Sequence, residues 1–308
     1  MHQPPARTAA ALWAALIATV VIAGCGTGRG ADPPAQDEPP AASPTPSPIA
    51  TVPAAPPPSP LASAPATDAP GQSWVQFGPR GPFVRWTGQG PCPTLQADGA
   101  PLTLQPRAPT PPPGFSQPVC DALLPPGLAR LIHGDRTLPV PSIRAERVVI
   151  LGDTGCRMKG DRVQNCSGRG EGEAWPFAEL AAAAAAERPD AVIHLGDLHY
   201  REAPCAVGDL RCEGLATGYT EGAWHQDFLE PAAPLLEAAP WLVVRGNHED
   251  CDRAWRGWFW LLDGDALKDP GWGDCDQRSQ PFSADLGGLQ VLSLDTARVK
   301  GWKRPVPK

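Results

Sequence analysis

The sequence predicts an α/β protein carried on a long non-globular amino-terminal segment. Three observations predict it. From Glu146 onward short apolar, β-branched runs alternate with helix-forming runs, the pattern of a sheet with crossover helices. Before that, residues 73–143 hold several short β-like runs cut by Gly, Pro and Asp-Gly turns. The 41 Pro and 32 Gly of the 308 residues are too many for one compact domain of this length. Nine Cys is an odd number, so an exported chain needs one Cys with a separate task. A net charge of −7 argues against a general nucleic-acid binder.

The elements follow in order. Ala9 to Ala23 is a nearly unbroken apolar run behind Arg7. It is short for a bilayer span, which takes about 20 apolar residues, and suits a signal-peptide core. It ends in Ile22-Ala23-Gly24-Cys25, which resembles a bacterial lipobox; the other reading is an ordinary signal peptide followed by a Cys. The expectation is a signal peptide over residues 1–24, a lipidated Cys25 and an exported lipoprotein of the cell envelope. Residues 31–71 contain 14 Pro among Ala, Ser and Thr, with apolar residues only as singletons. Such a segment cannot form a core and favours extended polyproline II. Residues 25–72 are therefore expected to be a disordered tether, either a spacer of set length or a plain linker.

A small β-rich unit is expected over 73–145, from Trp74–Phe77, Phe83–Trp86 and Leu102–Leu104. Strands are then expected at 147–151, 191–195 and 241–245. Helices are expected at 174–187, which holds six consecutive Ala, at 222–238, kinked or split by Pro231 and Pro234, and at 253–262. A strand pair at 282–286 and 289–294 meets at Gly287-Gly288, and residues 297–308 read as an irregular basic tail. With Cys25 set aside, eight Cys remain. The sequence-local pairs are Cys92 with Cys120, Cys156 with Cys166, Cys205 with Cys212, and Cys251 with Cys275, one of 105 possible connectivities. Without a Cys-x-x-Cys, structural disulfides of an oxidising compartment are expected rather than a metal cluster.

The chemistry sits where the first three α/β strands end. Each runs into Gly plus a polar residue: Gly152-Asp153-Thr154-Gly155, Gly196-Asp197-Leu198-His199-Tyr200, and Gly246-Asn247-His248-Glu249. Ligands of open α/β sheets bind beyond the carboxyl ends of the strands. Carboxylate and amide oxygens there suit hard or borderline divalent metals. One strand-Gly-Asp would be weak, whereas three in order, 44 and 50 residues apart, are strong.

This set resembles the calcineurin-like metallophosphoesterase family over about residues 146–296, and its purple-acid-phosphatase branch in particular. Gly155 stands where most of that family has a His, and Tyr200 completes the Gly-Asp-x-x-Tyr of the branch. The resemblance implies part of a β-sandwich flanked by helices. It makes Asp153 a ligand of a first metal, Asp197 a bridge, Tyr200 a phenolate ligand of Fe(III), Asn247 a ligand of a second metal, and His248 a catalytic acid or charge stabiliser. The cofactors implied are two metal ions, iron with a second Fe, Zn or Mn. The implied reaction is attack of metal-bound hydroxide on a small-molecule phosphate ester. The membrane contact is through Cys25, no nucleic acid is expected, and the oligomeric state is left open. The family's Val-x-x-His and Gly-His-x-His motifs have no counterpart, since no His follows His248. The expectation is therefore a truncated domain with an exposed sheet edge. The alternative function is a catalytically inactive homologue serving as an envelope lipoprotein or binding protein. Of the other His, His194 is expected in the sheet, His199 beside the site or exposed, and His225 exposed. The Trp-rich run 255–260 is expected in the core.

Overall fold

The computed structural model describes residues 71–297 except 266, 268–271, 274, 276 and 277. The expected signal peptide, Cys25, nearly all of the tether and all but the first residue of the basic tail lie outside the described residues. Among the described residues no helix is long and apolar enough to cross a membrane.

The strands are β1 (Gln72–Gly78), β2 (Gly81–Thr87), β3 (Thr94–Ala97), β4 (Ala100–Thr103), β5 (Gln105–Pro106), β6 (Val119–Leu123), β7 (Leu131–His133), β8 (Arg136–Leu138), β9 (Val148–Leu151), β10 (Met158–Lys159), β11 (Arg162–Val163), β12 (Ala191–His194), β13 (Trp241–Val243), β14 (Phe282–Asp285) and β15 (Gln290–Ser293). A seven-stranded mixed sheet runs β5-β6-β2-β1-β13-β12-β9. Its β1, β13, β12 and β9 are parallel to one another, and β1-β2-β6-β5 are antiparallel. A second sheet, β4-β3-β7-β8, sits beside the β1–β2 hairpin over a shared core of Val75, Val84, Trp86 and Leu95.

The β-rich segment and the α/β segment, set apart at residue 145 by the sequence reading, share the large sheet. Gln76 of β1 pairs with Trp241 of β13. The reason is tertiary: β1 is buried along almost its whole length, and a strand covered on both faces needs a partner on each edge. One core region lies to each side of the α/β strands. Val192, Trp241 and Val243 face one, and Ala191, Ile193 and Leu242 face the other, the alternation that a pleated strand imposes.

Helices fill the first side. Helix α1 (Phe177–Ala186) lies along the helical stretch 221–238. That stretch starts as α2 (Glu221–Trp224), widens into a π-helical segment His225–Leu229, and continues as α3 (Glu230–Ala238). The break expected at the prolines takes this form. Pro231 has no N–H to give to residue 227 and its ring crowds that carbonyl, so the turn before it opens. Short α4 (Trp255–Gly257) and a π-helical Trp258–Leu262 bury the Trp run. The β14–β15 hairpin covers part of the other side through Ala284 and Leu286. Among the described residues β9 is an end strand of its sheet. Ile150 is 60% exposed and Leu292 on β15 is 65% exposed.

The four disulfides join the sequence-local pairs Cys92–Cys120, Cys156–Cys166, Cys205–Cys212 and Cys251–Cys275.

Candidate metal centre at the strand ends

Parallel β9, β12 and β13 deliver their carboxyl ends to one side of the sheet. The residues immediately beyond are Asp153, Asp197 and the 3-10 turn Asn247–Glu249. Asp153 and Asp197 both have left-handed backbones, with φ of 54° and 59°. Non-Gly residues rarely adopt this conformation, and Asp is among those that tolerate it. Two such residues stand at neighbouring strand ends, a place where strained backbone often accompanies a site.

The two glycines that matter are close-approach positions. A Cβ on Gly155 would sit 2.6 Å from the Tyr200 ring and 2.8 Å from the Leu198 carbonyl. Tyr200 thus fills the space that a side chain at 155 would need, which is the physical link between the two family departures read in the sequence. A Cβ on Gly246 would collide with the Asp197 amide and carboxylate.

The Tyr200 hydroxyl donates to Asp153 Oδ1 at 2.6 Å and lies 3.1 Å from Asp197 Oδ2. Asp197 Oδ1 accepts from the His248 amide at 3.0 Å. The His248 ring stacks on Tyr200, centroids 3.7 Å apart. Burial first, and then the Asp153 hydrogen bond, pushes the Tyr200 phenol well above its ordinary value. Burial also lowers the His248 pKa, against the raising effect of Asp197. His248 Nδ1 is 2.8 Å from Glu202 Oε1. Asn247 is exposed.

Two buried acids brace this surface, and the sequence reading singled out neither. Glu249, fully buried, takes four backbone N–H groups: Oε2 accepts from Asp197 (3.0 Å) and Gly246 (3.1 Å), and Oε1 from Leu198 (2.8 Å) and His199 (3.1 Å). Burial, and then the Asp197 charge, push its carboxyl up to about 7, and the Leu198, His199 and Asp197 amides pull the other way. Asp227 projects from the π-helical segment and accepts from the Cys156 amide (2.8 Å), the Tyr200 amide (2.7 Å) and Arg201 Nε (3.0 Å). Burial raises its carboxyl to about 6, against Arg201. Glu249 was legible only as the fourth residue of Gly-Asn-His-Glu. Asp227 lies on a helix, where nothing local marks it. Arg245, at the end of β13, contacts Asp295 at 3.2 Å and so ties β13 to the segment after β15.

The other imidazoles are structural. His194 is fully buried in β12; its Nδ1 accepts from the Gly196 amide at 3.2 Å and its Nε2 lies 2.9 Å from the Thr154 hydroxyl. His199 is not exposed: it is fully buried between Tyr219 and Trp224, because its amide is drawn to Glu249 and its side chain turns to the opposite side. His225 is half-buried rather than exposed.

Among the described residues neither Asp153 nor Asp197 is ion-paired; one phenolic proton is shared where two carboxylates meet. Replacing that proton by a cation would give it three oxygen donors, a set suited to a hard ion. The residues therefore fit one ion at Asp153, Tyr200 and Asp197. Among the described residues no group of three or more His, Cys, Asp and Glu is placed to hold a metal. The fit thus depends on the tyrosine.

A strand-end constellation of this kind, on parallel strands flanked by helices, defines a metallophosphoesterase-type α/β domain. The family model for calcineurin-like phosphoesterases matches residues 146–303, more than half of the chain, and the chain belongs to that family. Its members are phosphoesterase hydrolases that generally bind divalent metals. No curated protein matches the chain.

Proposed function

We propose that this chain is a metal-dependent phosphoesterase of the purple-acid-phosphatase type acting on small phosphate esters. One observation carries the reading: Tyr200 joins Asp153 and Asp197 through a single hydroxyl. Asp153, Asp197 and Tyr200 would hold a first ion, with Asn247 contributing to a second; two metal ions, iron with a second Fe, Zn or Mn, are the cofactors of that reading. Bound there, such ions supply Lewis-acid polarisation of a phosphoryl oxygen and activation of water. The chain's own residues do the rest. Asp197 fixes the His248 backbone beside the centre. The His248 imidazole, oriented by Glu202 and the Tyr200 ring, is positioned to hold a proton for a leaving oxygen.

Titration with Fe(III) is expected to produce a visible tyrosinate absorption band that Tyr200→Phe abolishes without changing the circular dichroism. Asp197→Ala is expected to lower metal-dependent hydrolysis of p-nitrophenyl phosphate at least 100-fold. Hydrolysis indifferent to Asp197→Ala, or a band that survives Tyr200→Phe, contradicts the assignment. A specific observation favours the second reading, an inactive envelope binding protein: among the described residues no imidazole nitrogen is hydrogen-bonded to the Asp153–Tyr200–Asp197 oxygens, and His248 meets Asp197 through its backbone amide. Metal-stimulated turnover separates the two.

The apolar run 9–23 and Cys25 support an exported envelope lipoprotein, with Cys25 as the membrane contact. Labelled palmitate is expected to enter the protein expressed in a bacterial host, and Cys25→Ala to abolish labelling and shift the protein from the membrane pellet to the soluble fraction. Equal labelling of both proteins refutes the anchor.

A further inference from the structure

The hairpin β10–β11 stands next to Tyr200 and is not part of the strand-end motifs. It is fixed there. The Met158 amide donates to the Tyr200 carbonyl at 2.9 Å, and the Ala203 amide donates to the Met158 carbonyl at 2.9 Å. Met158 is buried, and the Cys156–Cys166 bridge closes the loop that contains the hairpin. Its free face is basic. Lys159 and Arg162 are direct cross-strand partners in the antiparallel pair. Like charges opposite each other destabilise a strand pair, so this pairing calls for a counter-charge. Arg157, immediately before β10, places its guanidinium carbon 5.3 Å from the Tyr200 ring centre.

These three cations line a cavity of about 140 Å³ together with Tyr200, Glu202 and His248. A cavity of about 10–15 Å³ already holds one water, so this one has room for a phosphate group. One carboxylate, Glu202, faces the three cations, and it is already in contact with Lys159 at 2.7 Å, His248 at 2.8 Å and Arg253 at 3.6 Å. The other nearby acids are Asp161 in the hairpin turn, and Asp153 and Asp197 on the far side of the Tyr200 hydroxyl. Arg157 and Arg162 are solvent-exposed and, among the described residues, have no ion pair, so neither guanidinium at the cavity is committed to a carboxylate. The guanidinium fork matches phosphate oxygens in bidentate geometry.

We propose that Arg157 and Arg162, with Lys159, form a subsite for a second phosphate group, so that the site's substrates are small molecules carrying two or more phosphates rather than simple monoesters. This deepens the phosphoesterase reading and rests on it for the word substrate; the anion subsite itself does not depend on turnover. The subsite and the metal oxygens adjoin the same tyrosine ring, which places a reacting phosphate and a second phosphate of one molecule side by side.

The test is calorimetric titration of the full chain with inorganic pyrophosphate in the presence of chelator, for wild type, Arg157→Gln/Arg162→Gln and Asp153→Asn. The double glutamine variant is expected to bind at least tenfold more weakly, in line with the loss of charge-assisted hydrogen bonds. Asp153→Asn is expected to retain affinity. In the metal-loaded protein the same double variant is expected to raise KM for a sugar bisphosphate at least tenfold more than KM for p-nitrophenyl phosphate. Pyrophosphate affinity that is undetectable, or the same in wild type and double variant, overturns the subsite, as does an equal rise in both KM values. Pyrophosphate binding that depends on the two arginines in a protein with no hydrolysis of any ester supports the subsite and removes the phosphoesterase reading.

Discussion

Replacing Glu249 with Ala is expected to destabilise the protein by about 3–5 kcal/mol, because several buried backbone N–H groups lose their acceptor at once. Its carboxylate takes four backbone N–H groups from two different strand-end loops. Truncation would leave these donors with no acceptor, at about 1–3 kcal/mol for each that stays dry. The shape-preserving change Glu249→Gln is the sharper test. A glutamine offers one oxygen and one NH2, so its NH2 must face two N–H donors in whichever orientation it takes. A loss of about 2–4 kcal/mol is expected from that mismatch. Chemical denaturation of wild type and variant checks it; a Gln variant within about 0.5 kcal/mol of wild type would show that the brace is not needed. Because Glu249 also sets the Asp197 amide, the Gln variant is expected to weaken Fe(III) binding by tenfold or more even where the protein remains folded.

Acidification is the second large effect, and it passes through His194. Burial lowers its pKa from about 6.5 to about 3. Its Nδ1 accepts from the Gly196 amide, so a proton there would replace an acceptor by a donor facing a donor. The folded state holds this imidazole neutral, while the unfolded chain protonates it from about pH 6.5 downward. The stability it contributes is complete above pH 6.5 and declines as the pH falls toward 3. At about 1.4 kcal/mol per unit, the loss between pH 7 and pH 5 is about 2 kcal/mol. Denaturation midpoints at pH 7.5 and pH 5 measure it. His194→Gln, which keeps an acceptor and a donor but does not titrate, is expected to lessen the pH dependence by about that amount. An unchanged slope in the variant would assign the acid sensitivity to other groups.

The site and its brace differ in how far the sequence reveals them. Asp153, Asp197 and Asn247 were legible because each lies one residue past a Gly at the end of an apolar β-branched run, and parallel strands must bring those ends together. Tyr200 was legible with Gly155 only through the family resemblance; the structure adds the physical reason, since the Tyr200 ring fills the space a side chain at 155 would need. Local spacing suggested the four cystine pairs as one of 105 connectivities, and the structure selects that one. The brace was not legible. Asp227 is 27 residues from the Tyr200 amide it accepts from, and it reaches that amide through a π-helical segment that the sequence shows only as prolines to follow. Of the two places expected for His199, the exposed one is excluded by its burial; a strand-end loop has no fixed periodicity, so its neighbour's role does not say which way it turns.

The amino-acid sequence by itself determined the α/β class, the strand-end motifs and the expectation of an exported, tethered chain, since each depends on residues close together in the chain. The tertiary structure alone decided that β1 joins β13 in one sheet, that Glu249 and Asp227 hold the strand-end loops, and that the basic hairpin stands beside Tyr200. Those outcomes depend on burial and on backbone donors from distant segments. A hydrogen bond between residues far apart in sequence leaves no local pattern, because what selects it is the cost of leaving a buried polar group unpaired once the fold has closed.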